Sequence, residues 1–259
     1  MIVKDITDVV ESFAPLSIQE KWDNSGLVIG SASSEVHGVL LGFDCTPDLV
    51  DEAVACGADL IITHHPLIFG GIKKITSDDV AGSAIIKAIR AGIAVYAAHT
   101  TADKVLEGVS GAMASRLGLV NVNVLDVDCC GNGLGAVGDL PLPMTSDDAV
   151  DYVKSKFGLK TVRRSHLIDV PVTKIAMCGG SGASLIDAAR RAGAQMYVSG
   201  DISYHHFFTG DDFIIMDIGH FESEVDIVDI LFSVITKKFP NFAVRISSRL
   251  QESNPVFYC

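Results

Sequence analysis

The stretch LVDEAVACGADLIIT at residues 49–63 recurs, with changes, as LIDAARRAGAQMYVS at residues 185–199. Each copy is typical of a helix, a glycine turn and a buried strand. A further strand-like run precedes each copy, at Val39–Phe43 and at Ile175–Met177. The sequence therefore predicts two strand–helix–strand units, whose natural result is parallel sheets. The copies match without a gap at Leu49/Leu185, Asp51/Asp187, Ala53/Ala189, Gly57/Gly193 and Ala58/Ala194.

Generic α/β patterning is a second explanation of this match, since glycine and alanine are common between helices and strands. With the repeat as the working prediction, the fold is two similar, interlinked α/β halves with mainly parallel sheets, at residues 1–125 and 126–259. In the shared register, Gly200-Asp201 stands where His64-His65 stands in the first copy. Equivalent strand ends are therefore expected to face a shared cleft that holds a dinuclear metal site.

Four clusters of polar side chains follow strand-like apolar runs. The first is the pair His64-His65, which ends the run Leu60–Ile62. Adjacent side chains on an extended backbone point to opposite sides, so these two imidazoles are expected to serve two neighbouring ions. Open α/β sheets place their sites at the carboxyl ends of strands. The other clusters are His99–Asp103, Asp201–His206 and His220–Glu224.

The last of these clusters has helical spacing. If a helix begins near Gly219, His220 and Glu224 lie on one face, whereas Glu222 turns away. Imidazole with carboxylate suits Zn, Mn or Fe, and Glu224 could bridge two ions. The plainer interpretation is that such a pair caps a helix or forms a salt bridge, and adjacent histidines also arise by chance. Four clusters that all follow strands favour the metal site.

Five motifs run in order along essentially the whole chain: WDNSGLVIG (22–30), THHPL (63–67), CGGSG (178–182), GDISYH (200–205) and GHFESE (219–224). Together they resemble the Nif-three-like proteins, which are often labelled GTP cyclohydrolase 1 type 2 homologues. The resemblance implies a ring-shaped homohexamer whose metal sites face an interior cavity. It also implies a dinuclear metal site formed by five side chains: His64, His65, Asp103, His220 and Glu224.

The chain departs from this family pattern at one motif. The family usually reads His-Thr-Asn-Leu-Asp where this chain has His99-Thr100-Thr101-Ala102-Asp103. The implied ligand Asp103 is kept, whereas the asparagine is replaced by Thr101. Longer members carry an inserted mid-chain domain, and the interval between Asp126 and Lys174 is too short for it, so no inserted domain is expected.

These residues predict a metal-dependent hydrolase of a small, nucleotide-like substrate, with two divalent ions (Zn, Fe or Mn) in each chain. His206, His205 or Tyr204 could donate a proton to the leaving group, and Asp201 could hold one of them. The competing hypothesis is a metal-handling or metallocofactor-assembly protein without hydrolase activity. A third is a scaffold whose ions have closed coordination shells.

Composition narrows the function classes further. The chain has 259 residues, 48% of them hydrophobic, which is typical of an α/β protein. Its formal net charge of -12 argues against nucleic-acid binding, which depends on a basic surface. No apolar run is long enough to span a bilayer and no basic apolar leader is visible, so the expected location is cytoplasmic. The six cysteines lack the spacing of a disulfide framework and are expected to be reduced thiols.

Two further features have open roles. The Gly179–Gly182 segment could cradle an anion with its backbone amides, or could be a tight turn that lets a helix and a strand pack. Trp22, the only tryptophan, could stack on a base or could anchor the amino-terminal helix to the core.

Overall fold

The computed structural model describes residues 1–129 and 131–258. Its helices are α1 (Val3–Phe13), α2 (Pro47–Cys56), α3 (Val80–Ala91), α4 (Thr100–Asp103), α5 (Val109–Arg116), α6 (Ser146–Phe157), α7 (Ile186–Arg191), α8 (His220–Glu224) and α9 (Ile227–Lys238). Its strands are β1 (Gly26–Ile29), β2 (Gly38–Gly42), β3 (Leu60–Thr63), β4 (Ala94–Ala97), β5 (Val120–Val127), β6 (Gly133–Met144), β7 (Arg163–Arg164), β8 (Val172–Ser181), β9 (Met196–Gly200), β10 (Ile214–Asp217) and β11 (Ala243–Ile246). Within the described residues, none of these helices has the length and apolar composition that a membrane crossing needs.

The chain forms two compact units that are not continuous in sequence. Met1–Ala102 and Ile227–Phe257 make the first, and Asp103–Asp226 with Tyr258 makes the second. This division differs from the predicted halves 1–125 and 126–259. The carboxyl-terminal segment returns to the first unit because β11 pairs in parallel with β2 and α9 packs on α1.

The first unit is built on a five-stranded sheet in the order β1-β4-β3-β2-β11. Strands β4, β3, β2 and β11 are parallel, and only the edge strand β1 runs antiparallel. Side chains of three central strands, Leu40, Ile61 and Val95, pack against residues of α2 and α3. The predicted mainly parallel sheet is therefore confirmed for this unit, with the fully buried apolar strands that such sheets require.

The second unit has a six-stranded sheet in the order β5-β6-β8-β9-β10-β7. Here only β8, β9 and β10 are parallel to one another. The pairs β5/β6, β6/β8 and β10/β7 are antiparallel, so this sheet is mixed rather than mainly parallel. Side chains alternate between its faces: Met196 and Val198 join the core beneath α5 and α6, whereas Tyr197 joins the core with α7.

Each unit contains one copy of the predicted strand–helix–strand repeat. Strands β2 and β3 are parallel and connected through α2, and β8 and β9 are parallel and connected through α7. The matching turn glycines, Gly57 and Gly193, have φ of 71° and 76°, in the left-handed region that glycine favours. The copies therefore share backbone conformation as well as sequence, although α7 is shorter than α2.

Of the six cysteines, Cys45, Cys56 and Cys178 are free thiols. Burial raises the pKa of the Cys45 thiol to about 12, with the nearby charge of Asp44 acting in the same direction. This thiol is therefore protonated and unreactive at neutral pH. Cys130 and Cys259, for which reduced thiols are also predicted, lie outside the described residues.

The repeat predicts equal responses to one substitution in both units. Gly57→Ala and Gly193→Ala should each lower the free energy of unfolding by about 1–2 kcal/mol, because an added Cβ disfavours left-handed φ. Neither Cβ would meet a neighbouring atom within 4 Å, so backbone strain is the only cost. Gly70→Ala is the control, because its Cβ would be equally unobstructed and its φ lies outside that region. Urea titration followed by circular dichroism measures all three, and a loss in only one of the two turn variants would contradict the equivalence.

Candidate metal centre

Three histidines of the first unit are brought together by the ends of its strands. His64 and His65 follow β3, and His99 follows β4, whose register with β3 pairs Ala97 with Thr63. One ring nitrogen from each of the three histidines lies within 4.8 Å of the others. His64 is completely buried and His99 is 8% exposed, so this imidazole cluster is largely withdrawn from solvent.

The Nδ1 atoms of the adjacent pair are held by oxygen acceptors. His64 Nδ1 donates to the carbonyl oxygen of Ala98 at 2.9 Å, and His65 Nδ1 donates to Asp44 Oδ1 at 2.7 Å. A ring nitrogen that donates must carry the proton, so in the neutral imidazole Nε2 keeps the lone pair. Metal-binding histidines in proteins are oriented in this way by a carbonyl or carboxylate on the second nitrogen.

His99 has the same arrangement with a deeply buried carboxylate. Its Nδ1 donates to Asp23 Oδ1 at 2.7 Å, and the Asp23 side chain is fully buried. Burial alone would raise the pKa of Asp23, but hydrogen bonds from His99, Thr100 and Ser25 outweigh it and hold that pKa well below its usual range. Asp23 is therefore ionised at neutral pH, and its carboxylate orients the ring of His99.

His99 belongs to one of the four predicted clusters but is not among the five predicted ligands, and Asp23 is not among the predicted site residues. His99 follows a predicted strand, and Asp23 lies in the WDNSG motif, so both carried a signal. What joins them is the antiparallel pairing of β1 with β4, which sets Gly26 opposite Ala97 and so brings the loop before β1 to the end of β4.

The second unit collects a histidine and two carboxylates. His220 and Glu224 lie one turn apart on α8, as predicted, with His220 Nε2 3.0 Å from Glu224 Oε2. His220 Nδ1 donates to Asp201 Oδ2 at 2.7 Å, so this fourth histidine is also anchored through Nδ1. A carboxylate oxygen of Asp103 lies within 4.8 Å of one of Glu224. Glu224 is only 4% exposed.

Glu222 is directed elsewhere, as the helical spacing predicts. Its Oε2 lies beside the α-carbon of Gly219, where the hydroxyl of Tyr258 also lies. Partial burial and the charges of Glu222, Asp217 and Asp201 raise the pKa of that phenol. Glu222 therefore lies close to Tyr258, near the carboxyl terminus.

The glycines of the CGGSG motif make room for these ligand candidates. Gly180 has φ +58°, and a Cβ there would overlap Glu224 Oε1 and lie 3.2 Å from His220 Cε1. The Gly180 amide donates to Ser223 Oγ at 2.9 Å, and the Gly182 amide donates to Ser199 Oγ at 3.1 Å. Two amides that an anion cradle would need are therefore already used. The segment through Ser181 is also the end of β8. These contacts favour the packing interpretation over the anion cradle.

The predicted proton donors lie on a short 3-10 helix, Tyr204–Phe207, that follows β9. Tyr204, His205 and His206 are exposed, and the ring of Tyr204 contacts those of His205 and Phe208. The carboxylate of Asp201, expected to hold one of them, instead accepts from His220. Their catalytic role stays a prediction.

The donor chemistry of both clusters fits a metal. The first unit offers three imidazoles with anchored Nδ1 atoms, and the second offers one such imidazole with two buried or half-buried carboxylates. Nitrogen and oxygen ligands of these kinds suit transition metals. The room that Gly180 leaves beside Glu224 and His220 is a second indication, because the backbone there is shaped around the carboxylate. The histidine and acid residues of the described chain could therefore hold metal ions.

Gly180→Ala tests whether this room matters. The added Cβ must displace the Glu224 carboxylate, and the affinity for Zn²⁺ should fall about 10- to 100-fold, the usual cost of disturbing the groups that orient a ligand. Gly193→Ala is the matched control, since it carries the same left-handed strain in the same unit and its Cβ would touch nothing within 4 Å. Competition with a chromophoric chelator measures the affinity, and equal affinities in the two variants would contradict the assignment.

Known proteins are similar to this chain over nearly its whole length. The family model described as Duf34/NIF3 (NGG1p interacting factor 3) matches residues 1–255. Two proteins named GTP cyclohydrolase 1 type 2 homolog are similar: the one from Clostridium acetobutylicum is 35% identical, with 86% of this chain and 85% of that protein covered, and the one from Lactococcus lactis is 33% identical, with 99% of each covered. The crystal structure of a Bacillus cereus protein related to NIF3 superposes with a TM-score of 0.91 at 25% identity, covering 100% of this chain and 99% of that one. This chain therefore belongs to the Duf34/NIF3 family.

Proposed function

We propose that this protein is a dinuclear metalloenzyme that hydrolyses a small, nucleotide-like substrate. In this proposal His64, His65, Asp103, His220 and Glu224 bind two divalent ions in each chain, with Zn, Fe or Mn as the metal. His99 is a further candidate metal ligand. The names of the relatives, GTP cyclohydrolase 1 type 2 homolog, support a nucleotide-related substrate.

The observation that carries the proposal is the anchoring of Nδ1 in four histidines. Each of these rings donates through Nδ1 to a carbonyl or carboxylate oxygen 2.7–2.9 Å away, at Ala98, Asp44, Asp23 or Asp201. Burying an imidazole and fixing its tautomer costs conformational entropy and desolvation. The Nδ1 hydrogen bonds offset part of that cost, and a metal bound through Nε2 would offset more of it.

The chemistry follows from the donor set. Divalent ions supply Lewis acidity, which lowers the pKa of water toward neutrality and polarises the bond that is attacked. Five protein ligands for two ions, or six with His99, leave positions open for water and substrate, as in catalytic rather than structural sites. The side chains of the protein fix the ligand geometry, and the exposed Tyr204, His205 or His206 would supply the proton for the leaving group.

The homohexamer also belongs to this proposal, since it is implied by the family resemblance of the motifs.

A metal-handling protein without hydrolase activity would use the same ligands. The two functions differ in one measurable respect: a hydrolase loses turnover when its metal is removed and regains it on reconstitution.

Glu224→Gln provides the first test. The amide keeps the size of the side chain and removes the negative charge, so the metal content should fall from about two ions per chain and turnover should fall by at least about 100-fold. Glu222→Gln, on the same helix, is the matched control and should keep both. Elemental analysis by mass spectrometry gives the metal content, and a screen of nucleotides for metal-dependent hydrolysis gives turnover.

Each outcome has a clear reading. Two ions that depend on Glu224, together with turnover that depends on them, would support the hydrolase. Bound ions without turnover on any nucleotide would favour metal handling. Failure of the reconstituted wild-type protein to bind metal would overturn the proposal.

A further inference from the structure

An exposed pair of aromatic rings lies beside the histidine cluster of the first unit. Trp22 and Phe69 are stacked, with ring centroids 5.8 Å apart and an interplanar angle of 24°. Trp22 is 59% exposed and Phe69 is 53% exposed. Of the two roles that the sequence left open for Trp22, this exposure disfavours the buried anchor. Large aromatic rings usually bury most of their surface, and two that stack in solvent require an explanation.

Both rings contact a histidine of the candidate metal centre. The ring of His99 lies edge-on to both, with its centroid 5.9 Å from that of Trp22 and 5.4 Å from that of Phe69. The centroid of His99 is in turn 5.4 Å from those of His64 and His65. The aromatic pair is therefore one wall of the surface that the three histidines form.

The backbone around the pair is held in place from both sides. Next to Trp22, the Asp23 carboxylate accepts from His99 and Thr100. The Asn24 side-chain amide donates to the carbonyl oxygen of Ile68 at 2.7 Å, which ties this loop to the segment that carries Phe69. Because the anchors of the histidine also position the aromatic rings, the two features form a single surface.

We propose that Trp22 and Phe69 bind the planar heteroaromatic ring of the ligand by stacking, while the neighbouring histidine cluster faces its polar or reacting part. This inference rests on the proposed function and names the substrate class: a compound with a flat nitrogen heterocycle of nucleobase type. A flat ring gains dispersion and hydrophobic contact from an indole face without needing a specific hydrogen-bond pattern. A purely aliphatic or sugar phosphate substrate would leave these faces in water.

A second copy of this chain is the other candidate for covering the two rings. The continuity with His99 favours a small ligand, because a protein surface seated on these rings would also cover the histidines that must admit substrate. Analytical ultracentrifugation of a Phe69→Leu variant, which reports the oligomeric state, distinguishes a small ligand from a second copy of the chain. If Phe69→Leu dissociated the assembly at unchanged metal content, the rings would be an interface and the ligand proposal would be overturned.

The tryptophan content makes the test direct, since Trp22 is the only tryptophan in the chain and all fluorescence excited at 295 nm reports on it. Zinc-loaded protein would be titrated with guanosine, adenosine and uridine, with ribose 5-phosphate as the non-aromatic probe. Saturable quenching by at least one nucleoside, and none by ribose 5-phosphate, is the expected result. Phe69→Leu should weaken that binding about 5- to 100-fold, as expected for the loss of stacking on one base, whereas the control Phe208→Leu, at an exposed ring in the second unit, should not.

The same titration is repeated on metal-free protein, so that the two proposals fail separately. Quenching that persists without metal supports the stacking site even if no hydrolysis is found. Metal-dependent turnover of a substrate, with no saturable quenching by any of the three nucleosides and no effect of Phe69→Leu on its KM, would overturn the stacking proposal and leave the hydrolase standing.

Discussion

The hydrogen bond from histidine Nδ1 to an oxygen acceptor is the constraint on which the site depends. Four histidines obey it, with a backbone carbonyl or an aspartate as the acceptor. The bond fixes the orientation of the ring and directs Nε2 away from the acceptor, as in metal-binding histidines. In His220 that Nε2 lies 3.0 Å from Glu224 Oε2, another candidate ligand. Three of the acceptors, Asp23, Asp44 and Asp201, are carboxylates, so each of those rings is held by a negative charge as well as by geometry.

The internal repeat explains where these anchors come from. In its register Asp44 aligns with Gly180, and His65 aligns with Asp201. In the first unit Asp44 anchors the histidine that follows the next strand. In the second, Gly180 makes space for Glu224, and Asp201, at φ 51°, anchors His220. Equivalent strand ends thus carry different side-chain chemistry on the same strand–helix–strand backbone. The left-handed φ of Asp201 occurs where its carboxylate positions a functional histidine.

Much of this could be predicted from residue pattern alone, because buried parallel strands are continuous apolar runs and helical spacing pairs His220 with Glu224. The pairing of segments that are distant in sequence could not be predicted in this way. The part played by Asp23 depends on the antiparallel pairing of β1 with β4, and the composition of the first unit depends on the return of β11 to β2. Local sequence contains no signal for either of these two strand pairings. The exposure of Trp22 could not be decided from sequence either, because its position left a core anchor and a stacking surface both open.

The histidine tautomers in solution provide the most direct test of metal binding through Nε2. In protein labelled with ¹⁵N at histidine, long-range ¹H–¹⁵N correlation distinguishes protonated from unprotonated ring nitrogens. We expect His64, His65, His99 and His220 to keep a protonated Nδ1 when Zn²⁺ is added, and the Nε2 resonances of the ligand histidines to shift. Zinc-induced loss of the Nδ1 proton, or Nε2 resonances that ignore zinc in all four rings, would contradict it.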